Sequence, residues 1–119
     1  MMKMQIGIDE ERVRKDGLYD LADMWRLIGK TFLEYGCTAE RQGDGSMLYS
    51  GTATNDYYTA INLAVYFLEI QPWFAQYCTK WIWYDNDDNE ELSFQEINLL
   101  VRRQQDNLLF KKAAQQWNA

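Results

Sequence analysis

The chain has 119 residues, 47% of them hydrophobic and 15% aromatic, with 18 acids against 12 bases and no histidine. That length suits one domain with its own core, and the composition excludes the polar, highly charged mixture typical of disordered chains. Without histidine there is no Ser-His-Asp or Cys-His catalysis and no imidazole metal ligand, and the net charge of -6 disfavours nucleic acid as a partner.

The opening stretch, MMKMQIGIDEERVRK, has no apolar run behind its lysine and does not read as a signal peptide. The longest apolar stretch, AINLAVYFLEI, is interrupted by Asn62 and is too short to cross a bilayer. The expectation is a soluble, cytoplasmic, single globular domain over residues 1–119 with no membrane partner. Cys37 and Cys78 fall outside any C-x-x-C or zinc spacing, and in a reducing compartment such thiols read as small apolar residues.

Over residues 18–35, Leu18, Leu21, Trp25, Ile28 and Phe32 fall on one side of a 3.6-residue spiral and Asp20, Asp23, Lys30 and Glu34 on the other. This predicts an amphipathic helix ended by Gly36. In residues 38–53 the G-D-G-S run between short β-tolerant segments predicts a β-hairpin or an irregular loop. Behind a cap at Thr54 or Asn55, residues Tyr57, Ile61, Ala64, Val65 and Leu68 share a face that Leu63, Phe67 and Ile70 widen, so a central, buried helix is predicted. Pro72 suits the first turn of the next helix, where its missing N–H costs nothing.

Residues 73–84 support two periods. A helix gathers Trp73, Phe74, Tyr77, Cys78, Trp81, Ile82 and Tyr84 on one half and leaves Trp83 beside Gln76, Thr79 and Lys80; a strand separates Trp81 and Trp83 from Ile82 and Tyr84. The helix accounts for more residues. A last helix is predicted from Phe94 to about residue 112, with Phe94, Ile97, Leu100, Val101 and Leu108 inward. Together these elements predict a mainly α, compact four-helix domain with a short β-hairpin or irregular loop at 38–53. The alternative is an α+β domain with strands near 3–8, 38–53 and 79–84.

No P-loop or G-x-G-x-x-G fingerprint is present, and QGDGS lacks the lysine that phosphate cradling needs, so no catalytic residue is nominated and no enzyme is expected. Between Lys80 and Arg102 stand Asp85, Asp87, Asp88, Glu90, Glu91 and Glu96 with no base among them, which equals the whole net charge of -6. Such a field favours a cation or a basic protein surface. The leading expectation is a non-enzymatic acidic binding protein that engages a basic protein partner, such as a toxin domain, as immunity proteins, antitoxins and inhibitors do. Its contact residues would be Trp83, as a surface anchor, with Asp85, Asp87, Asp88, Glu90 and Glu91. No cofactor is expected on this reading.

The second expectation concerns DNDDNEELSFQE, residues 85–96, which resembles the calcium-binding loop of the EF-hand family. The resemblance implies a calcium ion held by Asp85, Asp87 and Asn89, by the carbonyl of Glu91, by Ser93 through water and by Glu96, between helices at 73–84 and from 94 onward. Glu90 stands where the family has glycine. Ser93 and Glu96 also suit a capping box, with Leu92 packing on Ile97.

Overall fold

A computed structural model of the chain describes residues 2–34, 36–51, 55–86 and 91–117. It opens with strand β1 (Met2–Ile8), in which buried Met2, Met4 and Ile6 alternate with half-buried Lys3 and Gln5. Helix α1 (Glu10–Asp16) follows at once. The Asp9 carboxylate accepts from the amide of Arg12 at 3.1 Å, and Gly17, at φ 64°, ends the helix in the left-handed conformation that costs glycine least. Helix α2 (Leu21–Glu34) is capped by Asp20, whose carboxylate accepts from the amide of Asp23 at 2.9 Å.

Strands β2 (Thr38–Arg41) and β3 (Met47–Gly51) form the hairpin suggested by G-D-G-S. Its turn is closed by the amide of Gln42 on the carbonyl of Ser46 at 2.7 Å, with Gly45 at φ 87°. Helix α3 (Asn55–Glu69) leads to α4 (Pro72–Tyr77), which begins on proline as predicted. Strand β4 (Cys78–Asp85), strand β5 (Gln95–Asn98) and helix α5 (Leu99–Trp117) complete the chain. The strands make one antiparallel sheet of five, in the order β2-β3-β1-β4-β5.

The molecule is therefore α+β, and the mainly α four-helix expectation is corrected. The error lies at residues 73–84. Helix α4 stops after six residues, where Cys78 turns to φ −70° and ψ 125°, and the chain runs straight on as a strand. Trp73, Phe74 and Tyr77 are buried from the helix, whereas Trp81 and Trp83 reach the same core from β4, opposite Ile6 and Met4 of β1. A six-residue helix joined to a strand without a loop mimics one longer amphipathic helix, because both parts aim their aromatics at one core. The final helix likewise begins at Leu99, not Phe94, since residues 95–98 pair with β4 and the Asn98 carbonyl oxygen Oδ1 accepts from the amide of Val101 at 3.0 Å.

The helices cover one face of the sheet. Met2, Met4, Ile6, Ile8, Tyr49 and Trp81 from the strands meet Val13, Met24, Ile28, Phe32, Ala64, Leu68, Trp73, Phe74 and Tyr77 from the helices and their ends. Phe32 stacks on Tyr49 with centroids 4.3 Å apart, and Phe74 stands edge-on to Trp81 at 5.0 Å. Helix α3, expected from its wide apolar arc to be central and buried, is not, because Leu63 and Tyr66 on it and Ile70 just past its end face outward.

Candidate functional site

Because side chains alternate along a strand, the registers define what the second face of the sheet carries. One cross-strand row reads Thr38, Ser50, Lys3, Tyr84, Glu96; the next reads Glu40, Leu48, Gln5, Ile82, Asn98; and Gly7 lies opposite Lys80 beyond them. Among the described residues no helix is laid over these rows, since the helices pack on the Met2, Met4 and Ile6 side. An antiparallel sheet normally turns such a face to water, where polar residues suffice. Here Leu48, Tyr84 and nearby Phe94 add apolar surface while Ile82 is buried, and Lys3, Gln5, Leu48, Tyr84 and Phe94 line a shallow recess of about 190 Å³. The Lys3 ammonium lies 4.9 Å from the centre of the Phe94 ring.

A chain of hydrogen bonds crosses this face. The Tyr84 hydroxyl donates to Gln5 Oε1 at 2.9 Å, Gln5 Nε2 donates to Ser46 Oγ at 2.8 Å, and Ser46 Oγ donates to Asp44 Oδ1 at 2.6 Å. Lys80 Nζ closes it from the other side on Asp44 Oδ2 at 2.7 Å. Every donor points toward the Asp44 carboxylate, so each bond polarises the next in the same sense. The Lys80 hydrogen bond and then those from Ser46 hold the Asp44 carboxyl well below the usual carboxylate range, and the same contact raises the Lys80 ammonium. Burial first, then the negative charge of Glu96, pushes the Tyr84 phenol up, so it remains a neutral donor at ordinary pH. Gly7 belongs to this arrangement. A Cβ there would meet Thr79 Oγ1 at 2.8 Å and Lys80 Cβ at 3.1 Å, so glycine leaves room for residues 79 and 80.

Acids mark both ends of the face. Beyond Gly7, an open cleft of about 440 Å³ is lined by residues that include Asp9, Glu10, Glu11 and Asp44. Glu10 is committed there, accepting from Trp25 Nε1 at 2.8 Å and pairing with Arg41 at 3.5 Å. At the opposite end, Glu96 rises from β5 and exposed Glu91 stands in the connection from β4.

Of the expected contact residues, the two carried by β4 lie on the helix side of the sheet, away from this face. Trp83 pairs with Met4 and Ile97 and packs against the core on the helix side, so it does not stand on a polar helix flank. Asp85 closes β4 on that same side, between Met2 and Gln95. Asp85 and Glu91 already engage other groups. Asp87, Asp88, Asn89 and Glu90 lie outside the described residues.

For the calcium loop, the flanking helices implied by the resemblance are corrected to strands β4 and β5. Asp85 and Glu96 leave this hairpin from opposite faces, since Tyr84, not Asp85, is the partner of Glu96. Ser93 is exposed and precedes β5, so with no helix starting there it does not cap one. Sequence reasoning missed Lys3, Gln5, Glu40, Asp44, Leu48, Lys80, Tyr84 and Phe94. The strict alternation of M-K-M-Q-I-G-I was the available signal for the first two.

Comparison of the chain with protein-family models, with curated proteins and with solved structures finds no match.

Proposed function

We propose that the chain is a non-enzymatic binding domain that engages a basic protein across the face of its sheet over which no described helix is laid. The observation that carries this reading is the fixed polar chain from Tyr84 to Lys80, set beside Leu48 and Phe94 and bordered by acids at both ends. Side chains already held by one another lose little freedom when a partner docks, which lowers the cost of association. The apolar residues supply area, and the acids supply steering toward positive charge and rejection of acidic competitors.

Restraint of a basic, nucleic-acid-handling protein, as an immunity protein, antitoxin or inhibitor restrains one, is the task such a surface suits. Carboxylates there take the place of phosphates. Exposed Glu91 and Glu96 supply the acidic border at that end, and their part is in the rate of encounter.

The test is affinity capture with the chain and with Glu40→Lys/Glu96→Lys as parallel baits. A basic protein held by the chain at low salt, released as salt rises, and lost from the double variant is the expected result. Partners that are retained equally by both baits would overturn the assignment of this face.

A further inference from the structure

The helix layer, on the far side from the proposed docking face, carries its own unexplained surface. On α3 and just past its end, Leu63, Tyr66 and Ile70 recur at i, i+3 and i+7, and on α5, Val101 and Leu108 recur at i and i+7 with Leu109 beside them. All six are between 44% and 66% exposed. The two helices adjoin, since Arg103 Nη2 donates to the carbonyl of Glu69 at 2.9 Å. Helix α5 spans nineteen residues, and the molecule measures 50 Å along its longest axis against 34 and 24 Å across. Isolated apolar side chains are ordinary on a surface, but an exposed apolar stripe on each of two helices is of the kind that marks an interface.

Charge selects the occupant. Among its described side chains α3 carries Glu69 and no base, whereas α5 carries Arg102, Arg103, Lys111 and Lys112 against Asp106 alone. An α5 laid on the α5 of another copy would set like charges together. An α5 laid on the α3 of another copy joins opposite charges and covers both apolar stripes. A two-fold axis makes that contact twice, as closed homodimers require. We infer that a second copy of this chain docks on the α3–α5 layer, each α5 crossing the partner's α3. The sheet faces then point away from the contact, so the dimer presents two docking faces.

Molar mass measured by light scattering or sedimentation tests this directly, because the chain alone is the probe. The expected result is a dimer that dissociates on dilution. Lys111→Glu/Lys112→Glu makes α5 acidic and Tyr66→Lys/Glu69→Lys makes α3 basic, so each double variant alone is expected to shift toward monomer. Mixed in equal amounts they restore one reversed contact and one native contact, and the heterodimer returns. Circular dichroism of each variant confirms that it is folded. A monomer at about 100 μM, where a contact worth roughly 6 kcal/mol would be well populated, overturns the proposal. So does a pair of folded variants that stay dimeric alone, or a mixture that stays monomeric. Capture of a basic partner by the sheet face is read separately and does not depend on any of these outcomes.

Discussion

Trp83 offers the sharpest test of strand β4, because the helical and extended readings of residues 73–84 give it opposite surroundings. In the structure it lies between Met4 and Ile97 and packs on the core, and its indole Nε1 is buried with no hydrogen-bond partner among the described residues. Two substitutions separate its ring from its N–H. Trp83→Ala removes the ring, which costs about 3 to 5 kcal/mol at a fully buried site. Trp83 is half-buried, so the lower figure applies. Trp83→Phe keeps most of the packing. It loses roughly 40 Å² of apolar contact, worth about 1 kcal/mol, and removes an unpaired donor whose burial costs about 1 to 3 kcal/mol. The phenylalanine variant should therefore lie between unchanged and about 2 kcal/mol more stable. Urea unfolding gives both numbers, with an unchanged m-value as the check that neither end state has altered. An alanine variant within about 0.5 kcal/mol of the parent would return Trp83 to the surface. A phenylalanine variant as damaged as the alanine one would show that the N–H has an acceptor.

Burial pushes the Tyr49 phenol up to about 12 from 10.0, so the folded state resists its ionisation. Stability is full below pH 10 and falls as the unfolded chain ionises first, by about 2 kcal/mol once pH 12 is reached; Tyr49→Phe should flatten that alkaline limb in denaturant titrations. Asp44 has the opposite sign. Its depressed pKa contributes stability above the ordinary aspartate value that is lost as pH falls through the lowered one, so Asp44→Asn should flatten the acid limb, and an unaltered limb would detach Asp44 from Lys80 and Ser46. Millimolar calcium should leave the thermal midpoint where it is, and a dissociation constant tighter than about 10⁻⁴ M by calorimetry would revive the loop reading of residues 85–96.

The helices were legible where one period ran unbroken. Met24, Ile28 and Phe32 are buried from α2 within the predicted 18–35 helix, and Pro72 begins α4 where its missing N–H allows. The sheet was harder, for reasons particular to each strand. In β4, Trp81 and Trp83 face the helices while Ile82 and Tyr84 add apolar residues to the other face, so the two-residue alternation that marks a half-buried strand is blurred. Strand β5 has only four residues, and its run into α5 lets Ile97 be read with the helical stripe. The candidate site was illegible because it is a product of register. Lys3, Leu48 and Tyr84 come from three separate stretches of chain, and only the pairing of β1 with both β3 and β4 places them on one face. The acid excess after Lys80 was visible in the sequence, but the face that carries Glu96 was not.

Amide chemical-shift mapping with the basic protein that the chain captures tests the docking face most directly. Shifts concentrated on Lys3, Gln5, Glu40, Leu48, Tyr84 and Glu96 are the predicted result, since these residues share the side of the sheet away from the helix-packed core. Shifts concentrated instead on α2, α3 and α5, with the strand residues unmoved, would contradict it.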